Sequence, residues 1–237
     1  MRDFVETERA RWSGNNLHGP APLVFACHMR NPWLNIPLAD YEGHMSLPTV
    51  GQSRLIADQL DALVKTYSPR SVAIIGCAGG NGFEHLVGTS VTRVVGVDIN
   101  PEYIEQARRR FEGRIPGLEL LVADIQAPGL LFEPVDLIYV ALVLEYVDMT
   151  QAIGALHRHC RPNGILAVLS QLPHETLAHV SPSPYTSLQL LAPAMRLVAQ
   201  EELTLQAKQT GFATENSAVA MSSGGKRFSV DAFRLLQ

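Results

Sequence analysis

Gly76-Cys77-Ala78-Gly79-Gly80-Asn81-Gly82 follows directly on the apolar run Ser71-Val72-Ala73-Ile74-Ile75. A strand that feeds a glycine-rich loop lets a ligand approach backbone N–H groups that side chains would otherwise block. Asp98 lies 22 residues beyond Gly76 and closes the segment Val94-Val95-Gly96-Val97. A carboxylate at such a strand end can accept hydrogen bonds from ribose hydroxyls. A second acid, Asp124, follows Leu120-Leu121-Val122-Ala123, where it could receive the amino N–H of an adenine ring. Each acid could instead cap a following helix, but two of them after successive strands outline an adenosine pocket.

A dinucleotide and an adenosyl compound are the two ligand classes that suit this chemistry. A dinucleotide loop expects G-x-G-x-x-G/A. Counted from Gly76, the third position is Ala78, and counted from Gly80 the last is His85, so neither frame fits.

These groups need a scaffold, and the surrounding sequence supplies one. Short runs at 71–75, 93–97, 118–123, 135–140 and 164–170 are nearly all apolar, as strands are when helices cover both faces of a parallel sheet. Amphipathic stretches at 52–67, 101–111, 148–159 and 201–210 read as the helices between and around them, with a further helix starting at Phe83. Asn100 and Pro101 make a cap and first turn, and Pro162-Asn163-Gly164 makes a stop and turn. Two final runs, 214–221 and 226–233, flank Ser222-Ser223-Gly224-Gly225 and predict a hairpin, which turns the last strand antiparallel. The expectation is one α/β domain over 51–237, doubly wound and Rossmann-like, with a mostly parallel seven-stranded sheet. Residues 1–50 carry five prolines and no long periodic pattern, and are expected to be an irregular arm that could act as a lid. The stretch 172–193, with His174, His179 and Tyr185, is a second irregular region on the substrate side.

Bulk properties exclude several classes. A net charge of −4, with no basic block longer than Arg108-Arg109-Arg110, leaves no footprint for nucleic acid. The longest apolar run, 137–144, is too short to span a bilayer, and the first residues mix both charge signs. Three cysteines, Cys27, Cys77 and Cys160, include no C-x-x-C pair and point to a reducing, cytoplasmic setting. His157, His159 and Cys160 do not share a helix face, so no metal site is expected. Nothing here fixes the oligomeric state.

The loop, the two acids and their order resemble the class I S-adenosylmethionine-dependent methyltransferases, through the segments 72–82, 94–100, 121–125 and 135–147. That resemblance implies S-adenosyl-L-methionine as cofactor. Gly76, Cys77, Ala78 and Gly80 would then line its methionine and ribose portion. Tyr41, in the arm, is a separate candidate for contact with cofactor or substrate. Asp98 would bind the ribose hydroxyls, Ile99 would pack on the adenine, and Asp124 and Ile125 would hold the adenine edge. Ala141 or Leu142 would face the sulfonium. Two positions depart from the family pattern: Ile74 replaces an acid, and Ala78 replaces the second glycine. A nucleophile that carries a proton needs a base, for which His44 and Glu145 are the candidates. Against these roles, His44 could simply pack, and Glu145 could cap the helix near Asp148. The lid-like arm favours a small-molecule acceptor. The competing functions are an NAD-dependent oxidoreductase and a non-catalytic binder of adenosyl ligands.

Overall fold

The computed structural model describes residues 31–237. Residues 72–75 of the first strand are almost entirely buried, and their side chains alternate between two cores: Val72 and Ile74 enter one, Ala73 and Ile75 the other. This strand, β1 (Ser71–Ile75), is the centre of the sheet. It pairs in parallel with β2 (Arg93–Asp98) on one side and β4 (Val135–Ala141) on the other. β3 (Leu118–Val122) extends the first side, and β5 (Cys160–Gln171) extends the second, both in parallel. β7 (Arg227–Leu235) runs antiparallel to β5, and β6 (Phe212–Met221) antiparallel to β7. The sheet order is β3-β2-β1-β4-β5-β7-β6, a mixed seven-stranded sheet with the reversed final hairpin that the sequence predicts.

Helices cover both faces. α2 (Gln52–Tyr67) and α3 (Pro101–Phe111) bury Leu60, Val64, Ile104 and Phe111 in one core. α4 (Met149–His157) and α5 (Gln200–Gln209) bury Ile153, Leu156, Leu203 and Ala207 in the other. Asn100 caps α3 as the sequence suggests, its Oδ1 accepting the Glu102 N–H at 2.9 Å. No helix among the described residues is long and apolar enough to cross a membrane.

Three local expectations need correction. The arm is not irregular throughout: after a 3₁₀ turn at Pro32–Asn35, Leu38–Ser46 forms α1, which buries Leu38, His44 and Met45. Tertiary contacts decide this, because Gly43 and the flanking prolines weaken the local helix signal. The helix expected at Phe83 is a single 3₁₀ turn, Phe83–Leu86, ended where the Thr89 Oγ1 donates to the Leu86 carbonyl at 2.9 Å. Pro162-Asn163-Gly164 does turn the chain, with Asn163 at φ 64°, but as an irregularity inside β5 opposite the register shift between Val135 and Leu137.

Strand register sets the level of the site. Ile75 aligns with both Val97 and Val140, so Gly76, Asp98 and Ala141 leave the sheet side by side. The chain winds outward from β1 in both directions at this point, and such a switch point opens a crevice beyond the carboxyl ends of the strands.

Candidate functional site

A cavity of about 650 Å³ occupies that crevice. Gly76 and Ala78 form its floor beside Asp98 and Ile99, and Asp124 and Ile125 stand at the end of β3. Ala141 and Leu142 close the β4 side, and Tyr41 reaches in from α1.

Gly76 has φ +70°, and a Cβ there would come within 2.4 Å of the Val143 Cγ2, so the loop keeps its close approach only as glycine. Ala78 adopts φ 46°, the left-handed turn that the family's glycine would take without strain. Its N–H donates to Asp98 Oδ2 at 2.9 Å, while the Asn100 N–H donates to Asp98 Oδ1 at 2.9 Å. Asp98 therefore braces the loop and does not cap α3. Burial pushes its carboxyl up to about 6, against the pull of those N–H donors. Asp124 turns its own loop, its Oδ1 accepting the Gln126 N–H at 2.9 Å, and still lines the cavity.

Aromatic rings build the outer wall. Trp33 packs edge-on against Tyr41 and Tyr146, with centroids 5.7 and 5.1 Å apart, and Tyr41 stacks on Tyr103 at 6.0 Å. The segment carrying them is pinned to the sheet unit: the Tyr103 hydroxyl donates to the Ile36 carbonyl at 2.9 Å, and the Asn100 amide to the Trp33 carbonyl at 3.0 Å. Burial, first, raises the Tyr41 hydroxyl well above its usual range, so it stays neutral beside Asp98. The two departures from the family pattern do not remove the cradle, since Ala78 keeps the turn and Ile74 is core. Two carboxylates, an open glycine floor and an aromatic wall fit an adenosyl group bearing a positive sulfur.

A second cavity, of about 490 Å³, shares Trp33, Tyr41, Leu142 and Tyr146 with the first. Leu142 sits at the junction with φ 57°, a strained setting for leucine, and its N–H donates to the Leu169 carbonyl at 2.9 Å. His44, Gln52, Gln171 and Lys226 supply the polar part of the second wall. His44 is held below the usual histidine range, by burial first and by the charge of Lys226 second.

Not every residue expected at the site reaches a cavity wall. Cys77 turns into the core, where burial raises its thiol well above the ordinary value. Gly80 backs onto Phe83 and Phe111 and lines a neighbouring opening beside Tyr41 and Ala78. Glu145 is 1% exposed and lines neither cavity. It does not cap α4 either, since Asp148 does so through the Gln151 N–H at 2.8 Å. Instead its Oε1 accepts the Gln171 N–H at 2.8 Å, Oε2 has no partner, and burial pushes the carboxyl up to about 7. In the 172–193 stretch, His174 is exposed and Tyr185 packs over Gly43, whereas His179 reaches the second cavity.

Sequence reasoning missed Trp33, Tyr103, Tyr146, Gln171 and Lys226 as wall residues. Tyr146 was within reach, being just past Leu142 in a segment already singled out. Tyr103 reads as part of the buried stripe of α3, and Lys226 sits in a hairpin whose pattern says nothing of a cavity. His159 near α4 holds no ligand position: its ring nitrogens face the Phe132 and Leu130 carbonyls at 2.7 and 3.1 Å.

Residues 74–168 match a family described as a methyltransferase domain. Trans-aconitate 2-methyltransferase of Azoarcus sp. (strain BH72) is 32% identical over 139 residues, covering 55% of this chain and 52% of that protein. The enzyme of the same name from Rhodopseudomonas palustris (strain BisB18) is 33% identical over 139 residues, covering 55% and 50%. The chain thus spans about half the length of these curated relatives. Among solved structures, the N-methyltransferase NodS from Bradyrhizobium japonicum WM9, in complex with S-adenosyl-L-homocysteine, aligns with TM-score 0.60 and 21% identity over 78% of this chain and 88% of that one. Magnesium protoporphyrin IX methyltransferase from Synechocystis PCC 6803, with bound S-adenosylmethionine, aligns with TM-score 0.57 and 14% identity over 78% and 80%. At those identities the solved structures speak for the fold. Joined to the matched domain, they lead to one conclusion: residues 74–168 match the methyltransferase domain family, and the chain has the fold of these S-adenosyl-L-methionine-dependent methyltransferases.

Proposed function

We propose that the protein transfers the methyl group of S-adenosyl-L-methionine to a small molecule seated in the second cavity. The observation that carries this reading is the junction itself: an acid-walled cavity for the donor opens onto a second cavity across Leu142 and the rings of Trp33, Tyr41 and Tyr146. When bound, the cofactor supplies a methyl group on a positively charged sulfur. The protein contributes binding and alignment, which can account for a large part of the rate of such a displacement. Asp98 accepts the ribose hydroxyls, Asp124 takes the adenine amino group, and the aromatic wall excludes water and favours a cation. The backbone at Gly76 leaves room for the methionine portion.

His44 is neutral at pH 7 because its pKa is lowered, so it is able to take a proton from an acceptor hydroxyl or ammonium. Glu145 is assigned as a positioning residue: it fixes the Gln171 backbone, and through it the amide that meets Lys226. α1 serves as the cover over both cavities. The names of the trans-aconitate methylating relatives support a small acceptor, and the odd number of cysteines supports a cytoplasmic setting. Incubation with methyl-labelled cofactor and a panel of small acids, amines and phenols tests the reading. It predicts label in a small product with one S-adenosyl-L-homocysteine released per transfer. No label transferred to any acceptor in the panel, alongside binding of NADH, would contradict it.

A further inference from the structure

Lys226 is 4% exposed and lies just before β7, on the wall of the second cavity. Its ammonium donates to Gln171 Oε1 at 3.2 Å and to the His179 carbonyl, which uses two of its three protons. No aspartate or glutamate lines this cavity. Among the described residues no carboxylate lies within ion-pair distance of the ammonium, and burial alone pulls it down to about 8. It is therefore still charged at pH 7. A buried cation without a counter-ion is costly, and folds retain one chiefly where something else supplies the opposite charge. Beside it, the His44 ring is 5% exposed, and its Nδ1 has no partner. Gln52, 6% exposed, adds an amide to the same wall.

The two cavities thus have opposite character. The donor cavity carries Asp98 and Asp124 and no basic side chain, while the second carries Lys226 and no acid. We propose that the second cavity binds a carboxylate of the methyl acceptor, with the Lys226 ammonium as its counter-ion and His44 and Gln52 as neutral neighbours. One ammonium and no arginine match a singly charged carboxylate better than a phosphate, which carries more charge and favours forked guanidinium donors. The inference rests on the methyltransferase reading and specifies its substrate class. It concerns binding only.

The test uses the full chain saturated with S-adenosyl-L-homocysteine and titrated by calorimetry with benzoate, fumarate, trans-aconitate, the neutral trimethyl ester of trans-aconitate, and inorganic phosphate. At least one carboxylate should bind in the millimolar range or tighter, and the ester at least about tenfold more weakly than its acid. Lys226→Met should weaken carboxylate binding by at least about tenfold, Lys226→Arg by less, and neither should alter affinity for S-adenosyl-L-homocysteine. The proposal is overturned if no carboxylate binds, if acid and ester bind alike, if phosphate alone binds, or if Lys226→Met leaves carboxylate affinity intact. The acid and ester comparison on the unaltered protein decides the matter even where the methionine variant fails to fold. Failure of S-adenosyl-L-homocysteine itself to bind is a different result: it removes the methyltransferase reading and this inference with it.

Discussion

Asp98 carries two duties at once: it holds the Ala78 N–H of the loop and presents a carboxylate to the cavity. Burial raises its pKa from 3.8 to about 6 in the ligand-free protein. Hydroxyl donors favour the ionised form, so binding below that pKa must expel a proton. Affinity for S-adenosyl-L-homocysteine should therefore fall by up to about tenfold per pH unit below about pH 6 and level off above it. Tyr41, Tyr103 and Cys77 face the same region, but all are pushed upward and stay neutral in this window. Calorimetry across that range checks the slope; a flat profile would mean that Asp98 does not meet the ligand. Asp98→Asn keeps one oxygen for the Ala78 N–H but turns its NH2 toward the Asn100 N–H, so it should cost about 1–3 kcal/mol of stability and lose about tenfold or more in affinity. Both acids were legible in the sequence because strand ends and spacing locate them. Cys77 does not reach the wall because a motif gives positions along the chain, while the direction of its side chain depends on Gly96 across the loop.

At the scale of elements, α1 decides how closed the site is. Glu42 on α1 makes a forked ion pair with Arg110 on α3, whose Nη1 also donates to the Gly79 carbonyl at 3.1 Å. A Cβ on Gly79 would come within 2.6 Å of that guanidinium, so a side chain there would push the ion pair aside. Both partners are substantially exposed, with side chains 42% and 37% accessible, so the pair adds about 1 kcal/mol or less to stability. Its effect should appear in binding, through the placement of Tyr41. Glu42→Ala should leave the thermal midpoint within about 2–4 °C of the parent, yet weaken S-adenosyl-L-homocysteine several-fold. A large loss of stability with unchanged affinity would show that the strap serves folding only. This element was not legible because its stabilising contacts are distant in sequence. Tyr185, from the 172–193 stretch, lies over Gly43, where a Cβ would come within 2.3 Å of its ring, and Ser187 donates to Asp40 at 2.6 Å.

For the whole molecule, the sheet was the most readable feature. Strands buried on both faces leave continuous apolar runs, and the Ser222–Gly225 turn marks the final hairpin. The sequence pattern could not show that the crevice at β1 and β4 divides into two cavities of opposite charge. That division depends on Leu142 at its left-handed φ and on a lysine brought from the far end of the chain. The account's central claim is that the first of these cavities is the methyl-donor site. Its most direct test is a crystal structure of the protein grown with S-adenosyl-L-homocysteine. The account predicts the ribose on Asp98, the adenine at Asp124 and Ile125, and the sulfur directed past Leu142 toward Lys226 and His44. A ligand bound elsewhere, or lying in this cavity with its sulfur turned away from the second, would contradict it.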